Sequence, residues 1–137
     1  MDIAALLVLD AAAAYLAALG IVALVRPGLA GRFLRQFAQT PKANWIEALC
    51  RFVVGLSFVR LAAELPASQA FSLFGWFLAA TAVALVIFPT AHRQFADRLV
   101  PGAERFIPTM GVVAIAAGIA LAALLWPLHG MTGGISG

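Results

Sequence analysis

Four long apolar stretches fill this chain: Ile3 to Val25, Trp45 to Leu65, Phe71 to Phe88 and Pro108 to Trp126. A helix needs roughly 20 apolar residues to cross the hydrocarbon core of a bilayer, and each stretch comes close to that length. The composition leaves little alternative. The 137 residues are 64% hydrophobic, far above a soluble domain, and a core this small could not hide so much apolar surface from water. The expected fold is all-α: an integral membrane four-helix bundle in a single domain. The N-terminal stretch lacks the basic lead of a signal peptide and carries Asp2 and Asp10 instead, so it reads as a retained first helix.

A net charge of +3 at first suggests nucleic acid, but the placement of the charges argues for none. Arg26, Arg32, Arg35 and Lys42 fall in the first connection, and Arg93, Arg98 and Arg105 in the third. Arg51 sits just inside the second stretch at the same end, and Arg60 alone belongs to the other side. The positive-inside rule then puts both long connections in the cytoplasm and both termini outside. Trp45, Trp76 and Trp126 stand near stretch ends, as interfacial belts do. One lysine against eight arginines, in an alanine-rich chain, suggests a bacterial genome, so the expected location is a bacterial inner membrane.

The second half echoes the first at an offset of 62 residues. Tyr15-Leu16-Ala17-Ala18 meets Phe77-Leu78-Ala79-Ala80, Leu24-Val25-Arg26-Pro27 meets Val86-Ile87-Phe88-Pro89, and Phe33 meets Phe95. One residue more of offset brings Gly55 onto Gly118. Pro27 and Pro89 each end a helix, because proline cannot continue its hydrogen-bond ladder. The expectation is two parallel-repeat helical hairpins, residues 1–65 and 71–127, followed by a flexible tail over residues 128–137. Gly111 and Gly118 stand seven apart at the start of the last stretch, and the first half has Ala48 and Gly55 at the matching places. In these features each half resembles the small two-helix inner-membrane proteins of bacteria, a family of unknown function. The resemblance implies a hairpin with a basic connection and implies no activity.

The connections have a pattern of their own. Leu29, Phe33 and Phe37 recur every four residues over 28–39, with Arg32, Arg35, Gln36 and Gln39 opposite. A weaker copy over 91–100 sets Phe95, Ala96 and Leu99 against Gln94, Asp97 and Arg98. Such amphipathic segments suit the headgroup region and anionic lipid; a docking surface for a partner is the other reading. Thr40-Pro41 and the Asn44…Glu47 pair can each open the second helix.

Charges inside the apolar stretches call for partners, because a lone charge in hydrocarbon costs several kcal/mol. Asp10 lies 15 residues before Val25 and Arg60 lies 15 after Trp45, so an Asp10–Arg60 salt bridge is expected to close the first hairpin. Glu47–Arg51 and Arg60–Glu64 are spaced for pairing on one helix face. Ala14 and Ala18 share a stripe with Asp10, and Ala114, Gly118 and Ala122 form a second stripe; small residues let helices approach closely. The second half carries no charge within its apolar stretches, so a symmetric polar pathway is not expected.

No constellation for catalysis, metal or cofactor emerges. His92 and His129 are expected on opposite faces of the bilayer. Ser57, Thr81, Thr90 and Thr109 have no neighbouring histidine in sequence to activate them. Cys50 is the only cysteine and reads as a buried apolar thiol. The expected function is a non-catalytic accessory, assembly or scaffold subunit acting through helix–helix contacts, with a membrane-protein partner or as a homo-oligomer. The alternative is a small oligomeric transporter or channel for an ion or small solute.

Overall fold

The computed structural model describes residues 2–134, and the side chains of all these except 34–39, 92, 96 and 99–104. Six α-helices account for nearly all of it: α1 (Ile3–Val25), α2 (Pro27–Gln39), α3 (Pro41–Leu61), α4 (Ser68–Ile87), α5 (Pro89–Ala103) and α6 (Ile107–Gly133). No strand occurs among the described residues. α1, α4 and α6 are long and apolar enough to cross a membrane. α3 is as long, but Lys42, Glu47, Arg51 and Arg60 make it too charged to join them by composition.

Local chemistry explains the helix ends. The Asp2 carboxylate accepts from the Ala5 amide at 3.1 Å and caps α1. The Thr40 hydroxyl accepts from the Ala43 amide at 3.2 Å and Pro41 takes the first turn, so α3 begins four residues before Trp45. That frees Asn44 from capping; its side-chain amide donates to the Leu85 carbonyl at 3.2 Å and ties the start of α3 to the end of α4. Pro27 and Pro89 open α2 and α5 directly after α1 and α4 end. α6 corrects the expected end at Trp126. It runs through Pro127 to Gly133, so residues 128–133 of the expected tail are helical; residues 135–137 lie outside the described residues. Proline lacks the N–H that would bond four residues back, but the helix continues across it with Leu125 and Leu128 on either side buried in the core.

The turn between α3 and α4 contains Ala67 at φ 57°, a left-handed conformation that an L-residue with a β-carbon adopts at a cost. Ala67→Gly is expected to raise stability by about 1 kcal/mol, seen as a later midpoint in detergent unfolding.

The order of packing differs from two sequential hairpins. α1 lies antiparallel along α6, and α3 lies antiparallel along α4; the contact of α1 with α3 is smaller. A core cluster of Leu6, Leu9, Phe58, Leu61, Leu65, Leu125 and Leu128 joins the two pairs at one end. Phe58 stacks on Phe71 at 6.0 Å and meets Phe74 edge-on at 5.2 Å. At the other end a smaller cluster joins Ala23, Ala30 and Ile107, and α2 touches α5.

The surface is inverted relative to a water-soluble bundle. Small residues fill the seams, while large apolar side chains face outward: Leu7, Leu73, Phe77, Val113, Ile119 and Trp126 are all exposed, Trp126 at 77%. Trp45 and Trp76 also face outward.

Candidate functional site

Two helix crossings set the geometry. At the α1–α6 seam Gly118 lies so close to α1 that a β-carbon on it would stand 2.7 Å from the Ala13 carbonyl oxygen and 3.0 Å from the Ala17 amide nitrogen. At the α3–α4 seam a β-carbon on Gly55 would stand 2.6 Å from the Gly75 oxygen and 2.9 Å from the Ala79 nitrogen. Gly20 and Gly111 make a second close approach between α1 and α6. The seams follow a heptad-like spacing: Gly111, Gly118 and Leu125 on α6, and Ala48, Gly55 and Ala62 along and just beyond α3, are all buried. This corrects both expected alanine stripes. Ala14 and Ala18 are exposed, and the seam of α1 runs through Ala13 and Gly20, with Ala17 in contact. On α6 Gly118 is in the seam, Ala114 is half-buried and Ala122 is exposed. A step of 3.5 residues, not four, keeps a stripe facing its partner over several turns.

The charged groups also find different partners. Because α1 lies along α6, the carboxylate of Asp10 meets His129 Nε2 at 3.1 Å, and the expected Asp10–Arg60 pair does not form. Side chains lean toward the start of their own helix, so on antiparallel helices Asp10 and His129 lean toward each other. Arg60 reaches Asp2 at 3.6 Å and is largely exposed. Glu64 falls in a 3-10 turn after α3 ends, which breaks the i, i+4 spacing to Arg60. Arg51 pairs with Glu47 on α3. His129→Ala is expected to cost about 1–2 kcal/mol, since it leaves a carboxylate without its partner on an apolar helix. Asp10→Asn keeps a hydrogen-bonding group and is expected to cost less than ~1 kcal/mol. Guanidinium or SDS titration of both variants followed by circular dichroism checks the order.

Between the α1–α6 pair and the α3–α4 pair lies a cavity of about 1090 Å³, open on one flank. It runs from the Phe58–Phe71 part of the core cluster toward Glu47 and Phe33. Its walls are apolar, from Val8 and Ala12 on α1, Val54 and Phe58 on α3, Phe74 on α4 and Leu121 on α6. Among the described residues three polar side chains line it, those of Tyr15, Glu47 and Arg51, with Cys50 beside them. Cys50 is exposed, which corrects the reading of a buried thiol. Sequence reasoning missed this cavity. Helical spacing places Glu47, Cys50, Arg51 and Val54 on one face, but the space they line depends on which helices pair.

Among the expected interfacial residues with described side chains, Phe33 lines this cavity and Arg32, Phe95 and Arg98 do not. Arg32, Phe33, Phe95 and Arg98 are exposed on α2 and α5. The side chains of Arg35, Phe37 and His92 lie outside the described residues. Ser57 and Thr81 donate to the Val53 and Leu78 carbonyls of their own helices at 2.8 Å, which occupies both hydroxyl protons. No three potential metal-ligating side chains come together among the described residues.

No family model, curated protein or solved structure matches this chain.

Proposed function

We propose that this chain is a non-catalytic, multi-pass component of a bacterial inner membrane that acts through helix contacts, as an accessory or assembly subunit. The observation that carries the reading is the inverted surface: small residues in the seams and large apolar side chains outside. In lipid there is no hydrophobic drive between helices, and close packing through small residues takes its place. In this reading α3 is a fourth span whose Glu47 and Arg51 neutralise each other, and both termini lie outside. The exposed Arg26, Arg32, Arg93, Arg98 and Arg105 at the other end then meet anionic headgroups of the cytoplasmic leaflet.

The same reading makes the chain a duplicated hairpin whose two copies have exchanged partners. Ala13 and Ala17 stand 62 residues before Gly75 and Ala79, and Gly55 and Gly118 correspond at 63. The first helix of each half packs on the second helix of the other, through equivalent residues. Such an exchange supports a single interlocked bundle over two loosely joined hairpins. A transporter is less well supported, because the walls of the cavity are apolar apart from a few side chains near one end.

Two measurements test the proposal. With Cys50 replaced by alanine, single cysteines at Gly28 and Ser68 should react with impermeant maleimide from opposite sides of the membrane. Extraction in mild detergent followed by mass spectrometry should yield a membrane-protein partner in fixed ratio. A lone homo-oligomer that passes solute in liposomes would overturn the accessory role.

A further inference from the structure

The closest packing in the molecule divides at one point of the chain. Among the described residues, the close glycine contacts all join a helix before the turn at Ala62–Ala67 to a helix after it. Gly20 and Gly118 do so at the α1–α6 seam, and Gly55 and Gly75 at the α3–α4 seam. The Asp10–His129 and Asn44–Leu85 contacts and the stacking of Phe58 on Phe71 cross the same division. Within either part the packing is lighter: α1 meets α3 less extensively than it meets α6, and α4 meets α6 less still. Residues 2–61 are therefore held mainly by residues 68–134.

The link between the two parts is strained. Leu65 is extended, as a residue before proline prefers. Ala67 then turns the chain back at φ 57° and opens α4 with no side-chain cap. A residue with a β-carbon holds that conformation at a cost. Pulled out, the segment Ala62–Ala67 spans ~20 Å, about twice the separation of packed helix axes. α4 of one copy can therefore enter the bilayer beside α3 of a neighbouring copy. α3 ends and α4 begins at the same face of the membrane, so the move is sideways and takes no charge through hydrocarbon. Every seam is then made again with the other copy's residues. The two arrangements differ chiefly at the turn, where only the closed chain bears the strain of Ala67. Confinement to a bilayer raises the effective concentration of copies for one another. We propose that this chain forms a two-fold dimer by swapping halves: residues 2–61 of each copy pack on residues 68–134 of the other, with Ala62–Ala67 as the hinge. The walls of the cavity then come from two copies. This inference goes beyond the accessory role and rests on the membrane reading above.

The test begins with the full wild-type chain in mild detergent, weighed by native mass spectrometry over a dilution series. A dimer is expected. Ala67→Gly removes the strain of the closed turn, about tenfold in equilibrium for each hinge. Over the two hinges of a dimer it should raise the dissociation constant about a hundredfold, with helicity by circular dichroism unchanged. Cross-linking separates a swap from a side-by-side dimer. With Cys50→Ala throughout, two differently tagged full-length copies are co-expressed, one carrying Asp10→Cys and the other His129→Cys. A second set carries Asn44→Cys on one copy and Leu85→Cys on the other. Oxidation in the membrane should join the two tags in both sets, because the swap places both seams between copies. Joining in one set alone would show a side-by-side dimer and overturn the proposal. Links formed only within chains that carry both cysteines of a set would overturn it too. So would a monomeric wild type, or an unchanged dissociation constant in Ala67→Gly. Failure of the membrane reading itself would be seen separately, as release of the protein from membranes by alkaline carbonate.

Discussion

Gly55→Ile is expected to unfold the bundle or to cost at least about 3 kcal/mol, the upper part of the range for overpacking a close-packed site. The new side chain meets backbone. Its β-carbon would lie 2.6 Å from the Gly75 oxygen and 2.9 Å from the Ala79 nitrogen, and neither atom can move without moving α4. Even Gly55→Ala adds that β-carbon and should cost about 2 kcal/mol. The reciprocal change, Gly75→Ala, would bring a β-carbon to 2.9 Å from the Val59 nitrogen and should behave alike. Gly28→Ala is the control, since nothing lies within 4 Å of a β-carbon there; it should change stability by less than ~0.5 kcal/mol. The readout is the midpoint of SDS-induced loss of helicity in mixed micelles. A Gly55→Ile protein as stable as Gly28→Ala would mean that α3 and α4 do not cross at this point.

How much of this was legible beforehand depended on which physical cause acted. α1 begins and ends where its apolar run does, because Asp2 and Pro27 punctuate it in the sequence. α3 begins earlier than its apolar run because the Thr40–Pro41 cap outcompetes the Asn44…Glu47 pair. The seam of α1 lies one residue away from the expected Ala14–Ala18 stripe, because in the run Ala11–Ala14 four identical side chains give no sign of which faces a neighbour. Gly55 and Gly118 were legible as packing residues, since glycine inside an apolar helix has little other use. The choice of partner was not legible. Depth along the membrane permits Asp10 to meet Arg60, but the glycines at positions 20, 111 and 118 draw α1 to α6, and the carboxylate follows its helix to His129. The cavity is a further consequence of that pairing and is hidden from any single helix pattern.

Glu47→Met and Arg51→Met, made singly, are each expected to cost about 2–3 kcal/mol, while the double variant costs less than either. Removing one member of a pair inside a bilayer takes from the other charge its neighbour on the same helix, and that penalty exceeds whatever the pair contributes. Removing both leaves two flexible apolar side chains on a face that is otherwise apolar, next to Tyr15, Cys50 and Val54. A double-mutant cycle on the same SDS titration measures the coupling. The outcome bears directly on α3, whose charges keep it apart from α1, α4 and α6 in composition. On a helix lying at the surface, an exposed i, i+4 pair contributes only about 0.3–0.5 kcal/mol, and the single variants would then fall within that range. Strong coupling, with both singles worse than the double, places Glu47 and Arg51 within hydrocarbon and makes α3 the fourth crossing.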